Sequence, residues 1–473
     1  MRLDYGNRTS GDDILPMNEE KRPRRKIVII GLGVGGLYAA KSAMNTDRTA
    51  EVTIIEKRNY DMFSACGLPF AIEGIVSDFE ALKFPVPGHL KRLNKLLAHE
   101  VTSIDVNNKS VSVKNLNNGE TFDISFDGLI IATGAEPILL PVPGAKEFVG
   151  KGIHFVTNPE NAKALQDKAK TVKTAVVLGG GGIGLEIAIA LKSMGLEVIV
   201  TKRSPPVLPR SLDPDMGSLV EEHLKELGIT TMFGKKFEGI KGTDHVESVM
   251  IEGEEIKTDL VIMAVGVKGD MALAQAAGIE CSNQGIITNK HLGTNIKDIY
   301  AIGDCIETFN LINLKPCVMQ LATSAYQQGI IAGINAAGGI AEYPGALFTF
   351  VSKIGKLEVA ATGFNTVLAR EAGYEVLGTK VTAPNKPEYM PDHKDITVKI
   401  LADKATGRII GGQAIGEVGA AWRVNVISLA IRAGMDIATL NQTELAYSPP
   451  VSEAYDILSM VTEFANRRLK LNK

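Results

Sequence analysis

One pattern occurs twice in this chain and limits its fold more than anything else in it. Residues 26–30, KIVII, are a short β-rich run that breaks at Gly31. The loop Gly31-Leu-Gly33-Val-Gly-Gly36 follows, then the helix-like LYAAKSAM, and a second apolar run, EVTII, ends on Glu56, twenty residues beyond Gly36. This is the dinucleotide fingerprint in its strand–turn–helix–strand setting. The first glycine makes the turn, the second admits a pyrophosphate, and the third lets the helix pack on the sheet with its N-terminus facing phosphate. Glu56 is placed to accept hydrogen bonds from a ribose diol. The bland alternative is a glycine loop without a ligand. The pattern returns 148 residues later: the strand TAVVL, the loop Gly179-Gly-Gly181-Gly-Ile-Gly184, the helix-like LEIAIALKSMG and the strand LEVIV. Two such folds imply two dinucleotides, and their natural joint use is an electron relay.

The second repeat departs from the first where the ribose carboxylate belongs. Its strand runs into Thr201-Lys202-Arg203. Lys202 and Arg203 together suit a 2′-phosphate, which favours NADP with NAD as the other coenzyme; a solvated basic turn is the competing reading. Two more strand ends complete the first fold, at Ala132-Thr133-Gly134 and at Gly303-Asp304. From about residue 346 the glycine loops stop, and short strands (EVAATGF, DITVKIL, RIIGGQAIG) alternate with amphipathic helices, an α+β pattern.

At 473 residues, two to four domains are expected. A net charge of −3 gives no reason to expect nucleic acid or an acidic membrane as partner, and no apolar run is long enough to span a bilayer. Residues 1–25 mix both charge signs without an apolar core, so a disordered extension is expected there rather than a secretory signal. Four cysteines (Cys66, Cys281, Cys305, Cys317) make neither a disulfide framework nor a metal site, and a cytoplasmic home is expected.

With these motifs in this order, residues 26–465 resemble the pyridine nucleotide–disulfide oxidoreductases. The resemblance implies an α/β chain of two Rossmann-like dinucleotide-binding domains plus a C-terminal α+β dimerisation domain. It places FAD on residues 26–145 and 271–345, NAD(P) on residues 146–270, and a homodimer interface on residues 346–473. It also implies that Asp304 binds the ribityl chain of FAD, that Thr133 and Gly134 close over the flavin, and that Glu186 lies near the nicotinamide. The segment Met62-Phe-Ser-Ala-Cys66-Gly-Leu-Pro-Phe-Ala71 is similar to the single-cysteine branch of the family: coenzyme A-disulfide reductases, NAD(P)H oxidases and peroxidases, and sulfur or polysulfide reductases. Dithiol members carry a second cysteine where this chain has Ala71, and a histidine acid where it has Ser448.

Electrons are therefore expected to run from NAD(P)H through FAD to a disulfide or polysulfide held on Cys66. Only a thiolate attacks sulfur, so the helix N-terminus that follows Cys66 and a nearby oxidised flavin are both expected to favour the anion. The departing thiolate needs a proton. Tyr447 is the candidate donor, reaching across the dimer interface, with Tyr389 as a weaker second; a packing role is the alternative for Tyr447. Peroxidase members place a histidine where Val34 stands. Coenzyme A-specific members place arginines where Met44 and Asn45 stand. Gly182 replaces an aromatic flavin shield, which leaves an oxidase that reduces O₂ as one alternative function. An NAD(P)H-sensing flavoprotein with slow turnover is the other.

Overall fold

The computed structural model describes residues 24–471 except 89 and 91. The expected disordered extension falls outside the described residues as far as position 23. Its last two residues are already part of the fold: the Arg25 carbonyl accepts the Glu51 N–H at 2.9 Å, and Arg25 lies 3.6 Å from Asp298.

The strand Lys26–Ile30 is a run of β-branched residues buried on both faces from its second position on, as suits the centre of a parallel sheet. It pairs in parallel with Glu51–Glu56 on one side and Gly128–Ile131 on the other. Ile299–Ala301 and Leu93–Leu97 complete five strands. The second glycine pattern builds a matching sheet in which Thr174–Leu178 lies between Val261–Met263 and Glu197–Lys202. Ile153–His154 and Thr230–Phe233 form its edges.

Both nucleotide folds make the same excursion, before the penultimate sheet strand in the first and before the last in the second. In the first, His99–Asp105, Ser110–Asn115 and Thr121–Ser125 form an antiparallel three-stranded sheet; in the second, Phe237–Gly242, Val246–Ile251 and Glu254–Lys257 do. The chain enters the second fold and leaves it by two short strands that pair with each other, Ala135–Pro137 and Val267–Gly269.

The third region is antiparallel. Its strands run in the order Phe350–Ile354, Leu357–Gly363, Ile409–Gly416, Asp395–Asp403, Val376–Pro384. The helices Ala420–Arg432 and Ile457–Leu471 cover the sheet, sharing a core of Val398, Ile400, Val424, Ile427 and Val461. Asp213, from the second nucleotide fold, is driven deep into this region. Its carboxylate accepts the Thr366 N–H and hydroxyl, both at 2.7 Å, and lies 2.7 Å from the Lys399 ammonium. Its own N–H donates to Gln413 Oε1 at 2.9 Å. Among the described residues, no helix is long and apolar enough to cross a membrane.

Candidate functional site

The two glycine loops have the same geometry. Gly31 has φ +103°, and a Cβ there would lie 2.3 Å from the Ala132 carbonyl oxygen; a Cβ on Gly36 would lie 2.0 Å from that of Gly31. Around Gly33 nothing comes within 4 Å. The second loop repeats this: Gly179 at φ +127°, Gly184 with a Cβ 2.3 Å from the Gly179 carbonyl oxygen, and open space at Gly181. In each loop the chain itself demands the outer glycines, while the middle one faces room for a pyrophosphate. The helices Val34–Thr46 and Gly182–Ser193 start without a side-chain cap, leaving their first N–H groups to a ligand. These features fit two bound dinucleotides.

Glu56 is buried at the end of its strand. Burial raises its pKa, but the Arg58 fork and the N–H groups of Arg58 and Leu32 more than offset this and hold it below the usual carboxylate range. The bonds are 2.8 Å from Leu32 N–H, 2.8 Å from Arg58 Nε and 2.7 Å from Arg58 Nη2. A ribose diol at Glu56 therefore has to displace part of the Arg58 fork. Arg58 was not singled out by the sequence reading, although its place two residues after the acid was a usable signal.

Asp304 is in the opposite situation. Among the described residues no hydrogen bond reaches its carboxylate, and burial pushes its pKa up to about 6. A half-buried acceptor without a donor fits a polyhydroxyl chain. The neighbouring Thr133 hydroxyl donates to the Asp270 carbonyl at 2.7 Å, and no atom lies within 4 Å of a Cβ on Gly134. Hydroxyl donors favour the ionised acid, so FAD affinity is expected to be full above pH 6 and to fall as pH drops through it, by up to about tenfold per unit. Titrating FAD into flavin-free protein between pH 5 and 7.5 checks this; a flat profile would remove Asp304 from the flavin site.

Cys66 occupies a single 3-10 turn, Ala65–Gly67, just before the helix Leu68–Glu73. Of the four free cysteines it is the exposed one; Cys305 is buried and the other two are half-buried. The protein's own groups move the thiol pKa the other way from the expected direction. Although its surface is open, crowding by surrounding protein raises the Cys66 pKa, and the nearby Glu186 and Asp304 carboxylates raise it further. The helix after it is one and a half turns long and its N-terminus does not outweigh two anions. The structure thus brings together three residues from separate parts of the chain: Cys66, Asp304 and Glu186. Glu186 is held by the Ser352 hydroxyl, which donates at 2.7 Å, while burial raises its own pKa. Ser352 was not foreseen. A Cβ on Gly182 would meet only Ser352, at 3.7 Å or more, so that side of the site is open.

Cys66 faces a cleft of about 650 Å³, whose walls include Thr323, Phe348, Thr349, Asn425 and Arg432. Tyr447 is not among the residues lining this cleft. It is exposed on the C-terminal region, close to the still more exposed Tyr389. The two tyrosines, ranked apart in the sequence, are a pair in the structure. Lys202 and Arg203 behave differently from each other. The Lys202 ammonium turns onto Ser204, bonding its carbonyl and its hydroxyl, and burial lowers its pKa. Arg203 is exposed, and among the described residues no hydrogen bond or ion pair holds it.

Two dinucleotide cradles opening on one exposed thiol define a flavin- and nicotinamide-dependent oxidoreductase. The family description "Pyridine nucleotide-disulphide oxidoreductase" matches residues 25–329, and the dimerisation domain of the same family matches residues 350–458. The chain belongs to this family and is an FAD-dependent oxidoreductase that uses NAD(P)H. It is 34% identical to an NADH oxidase of Methanocaldococcus jannaschii, covering 94% of this chain and 99% of that protein. It is 31% identical to a CoA-dependent NAD(P)H sulfur oxidoreductase of Pyrococcus furiosus, covering 93% and 100%. Among solved structures, an NAD-dependent persulfide reductase from A. fulgidus superposes with TM-score 0.89 at 34% identity, over 94% of this chain and 84% of that one. A reduced Bacillus anthracis CoADR-RHD gives TM-score 0.91 at 29% identity, over 95% and 82%.

Proposed function

We propose that the protein reduces a disulfide, persulfide or polysulfide at Cys66 with electrons from NAD(P)H, with coenzyme A disulfide or polysulfide as the leading substrates. The observation that carries this reading is the exposed thiol beside Asp304 and Glu186, one residue from each nucleotide fold. The sulfur oxidoreductase and persulfide reductase relatives support it. The reading assigns FAD to residues 26–145 and 271–345, NAD(P) to 146–270, and the contact between two copies to 346–473.

Bound FAD supplies the two-electron link between NAD(P)H and sulfur. The protein's own part is thiol exchange. The Cys66 thiolate attacks one sulfur of R–S–S–R, a Cys66–S–S–R bond forms, and RS⁻ departs. Tyr447, delivered from a second copy of the chain, gives that thiolate its proton, and Tyr389 donates a hydrogen bond to the phenolate left behind. The sum is NADPH + H⁺ + RSSR giving NADP⁺ + 2 RSH. With a polysulfide, attack on a terminal sulfur leaves a Cys66 persulfide and expels the rest of the chain as a shorter polysulfide or sulfide. Anaerobic NADPH consumption against coenzyme A disulfide, glutathione disulfide and polysulfide tests the proposal; turnover with none of them would sink it.

For the coenzyme, Arg203 rather than Lys202 carries the phosphate contact, since Lys202 is engaged by Ser204. Arg203→Ala is expected to raise KM for NADPH roughly 10- to 100-fold, the size of one charge-assisted hydrogen bond, and to leave NADH unchanged. Equal KM shifts for both coenzymes would remove the clamp. A second reading, an oxidase reducing O₂, is favoured by the open face at Gly182 and by the NADH oxidase relative.

A further inference from the structure

The two tyrosines of the proposed proton donor sit on separate loops, and one buried cation joins those loops at their roots. Arg423, on the helix Ala420–Arg432, is 1% exposed. Its Nε donates to Asp456 Oδ1 at 3.1 Å and its Nη2 to Asp456 Oδ2 at 2.5 Å. Nη2 also donates to the Asn385 carbonyl at 3.4 Å, and Nη1 to that of Gly419 at 3.0 Å. Asn385 closes the loop 385–394: its N–H donates to the Lys394 carbonyl at 2.8 Å, and its Oδ1 accepts the Lys394 N–H at 3.0 Å. Tyr389 lies on that loop. Asp456 ends the segment that carries Tyr447. The tryptophan of the chain, Trp422, packs 4.3 Å from the guanidinium carbon.

At the tips there is little packing to hold the pair: Tyr389 is 71% exposed and Tyr447 49%. Two neighbouring solvated phenols contribute little to holding each other, so the loops must hold the hydroxyls in place. We infer that Arg423 is the positioning residue of the Tyr389–Tyr447 pair, fixing both loops through one planar fork so that the hydroxyls meet the departing thiolate. The inference rests on the donor role proposed for Tyr447. Geometry rather than charge is the essential property. A lysine keeps the charge but cannot span Asp456 and Asn385 with fixed, divergent donors.

The test compares Arg423→Lys, Tyr447→Phe and their combination, reading anaerobic disulfide reduction and NADPH-driven dye reduction separately. Arg423→Lys is expected to lower kcat for the disulfide roughly 10- to 100-fold, the effect of a displaced catalytic group, with KM within about twofold and dye reduction intact. In the Tyr447→Phe background it should cost nothing more. Losses that multiply, or full disulfide turnover in Arg423→Lys, would overturn the inference while leaving the Tyr447 role standing. A silent Tyr447→Phe would overturn both. Should Arg423→Lys fold poorly, Arg423→Met combined with Asp456→Leu removes the buried charges together and is expected to show the same kinetic loss; normal disulfide turnover there would refute the inference equally.

Discussion

Cys66→Ser is expected to remove disulfide turnover, by roughly 10³-fold or more, and to leave NADPH-driven dye reduction at its normal rate. Serine keeps the size of the side chain but has no accessible anion near neutral pH and forms no bond that a second thiol can cleave. No neighbour replaces it: Ala71 stands where a second cysteine would be, and Cys305 is buried with its pKa pushed up to about 11. Dye reduction draws electrons before they reach sulfur, so it separates loss of the thiol from loss of the flavin. The measurement is a pair of anaerobic assays on one flavin-loaded preparation. Disulfide turnover surviving in Cys66→Ser would refute the single-sulfur mechanism. The raised thiol pKa adds a sign to this. In flavin-free protein, with Glu186 and Asp304 ionised beside it, Cys66 should alkylate only slowly at neutral pH and faster as pH climbs past the ordinary thiol value.

The largest expected loss of stability lies well away from the thiol. Asp456→Ala is expected to destabilise the C-terminal region by about 3–5 kcal/mol, because it strands the Arg423 guanidinium in a place where both partners are almost fully buried. It also takes away the carboxylate that accepts the Leu458 N–H at 2.9 Å at the start of the last helix. A thermal scan should show the first transition falling by on the order of 10 °C. Replacing both partners, as Arg423→Met with Asp456→Leu, should recover most of that loss, since a buried pair is often no stronger than apolar residues of its size. If the single and double variants lose the same amount, the pair is not the cause.

The glycine loops were legible because backbone geometry dictates them. A turn at φ +103° and a helix whose Gly36 Cβ would lie 2.0 Å from a carbonyl oxygen leave no choice of residue, so the spacing alone reports the cradle. Cys66 was legible in a different way, through the resemblance of the segment Met62–Ala71 to the single-cysteine branch of the family. What escaped the sequence reading depends on residues far apart in the chain. Ser352 reaches Glu186 across 166 positions, and Gln413 reaches Asp213 across 200. The raised Cys66 pKa escaped for that reason: the local helix was visible in the sequence, while the packing that desolvates the thiol and the two carboxylates that add to it arrive from elsewhere. The antiparallel excursions were missed although the alternation VSVKN and the turn NNGE marked one of them.

Asp213 bears on how coenzyme comes and goes. A swing of the second nucleotide fold away from the C-terminal region would have to pull a buried carboxylate from a lysine, a hydroxyl and an amide at once, and expose it half-solvated on the way. That barrier opposes a hinge motion between the two regions at this joint.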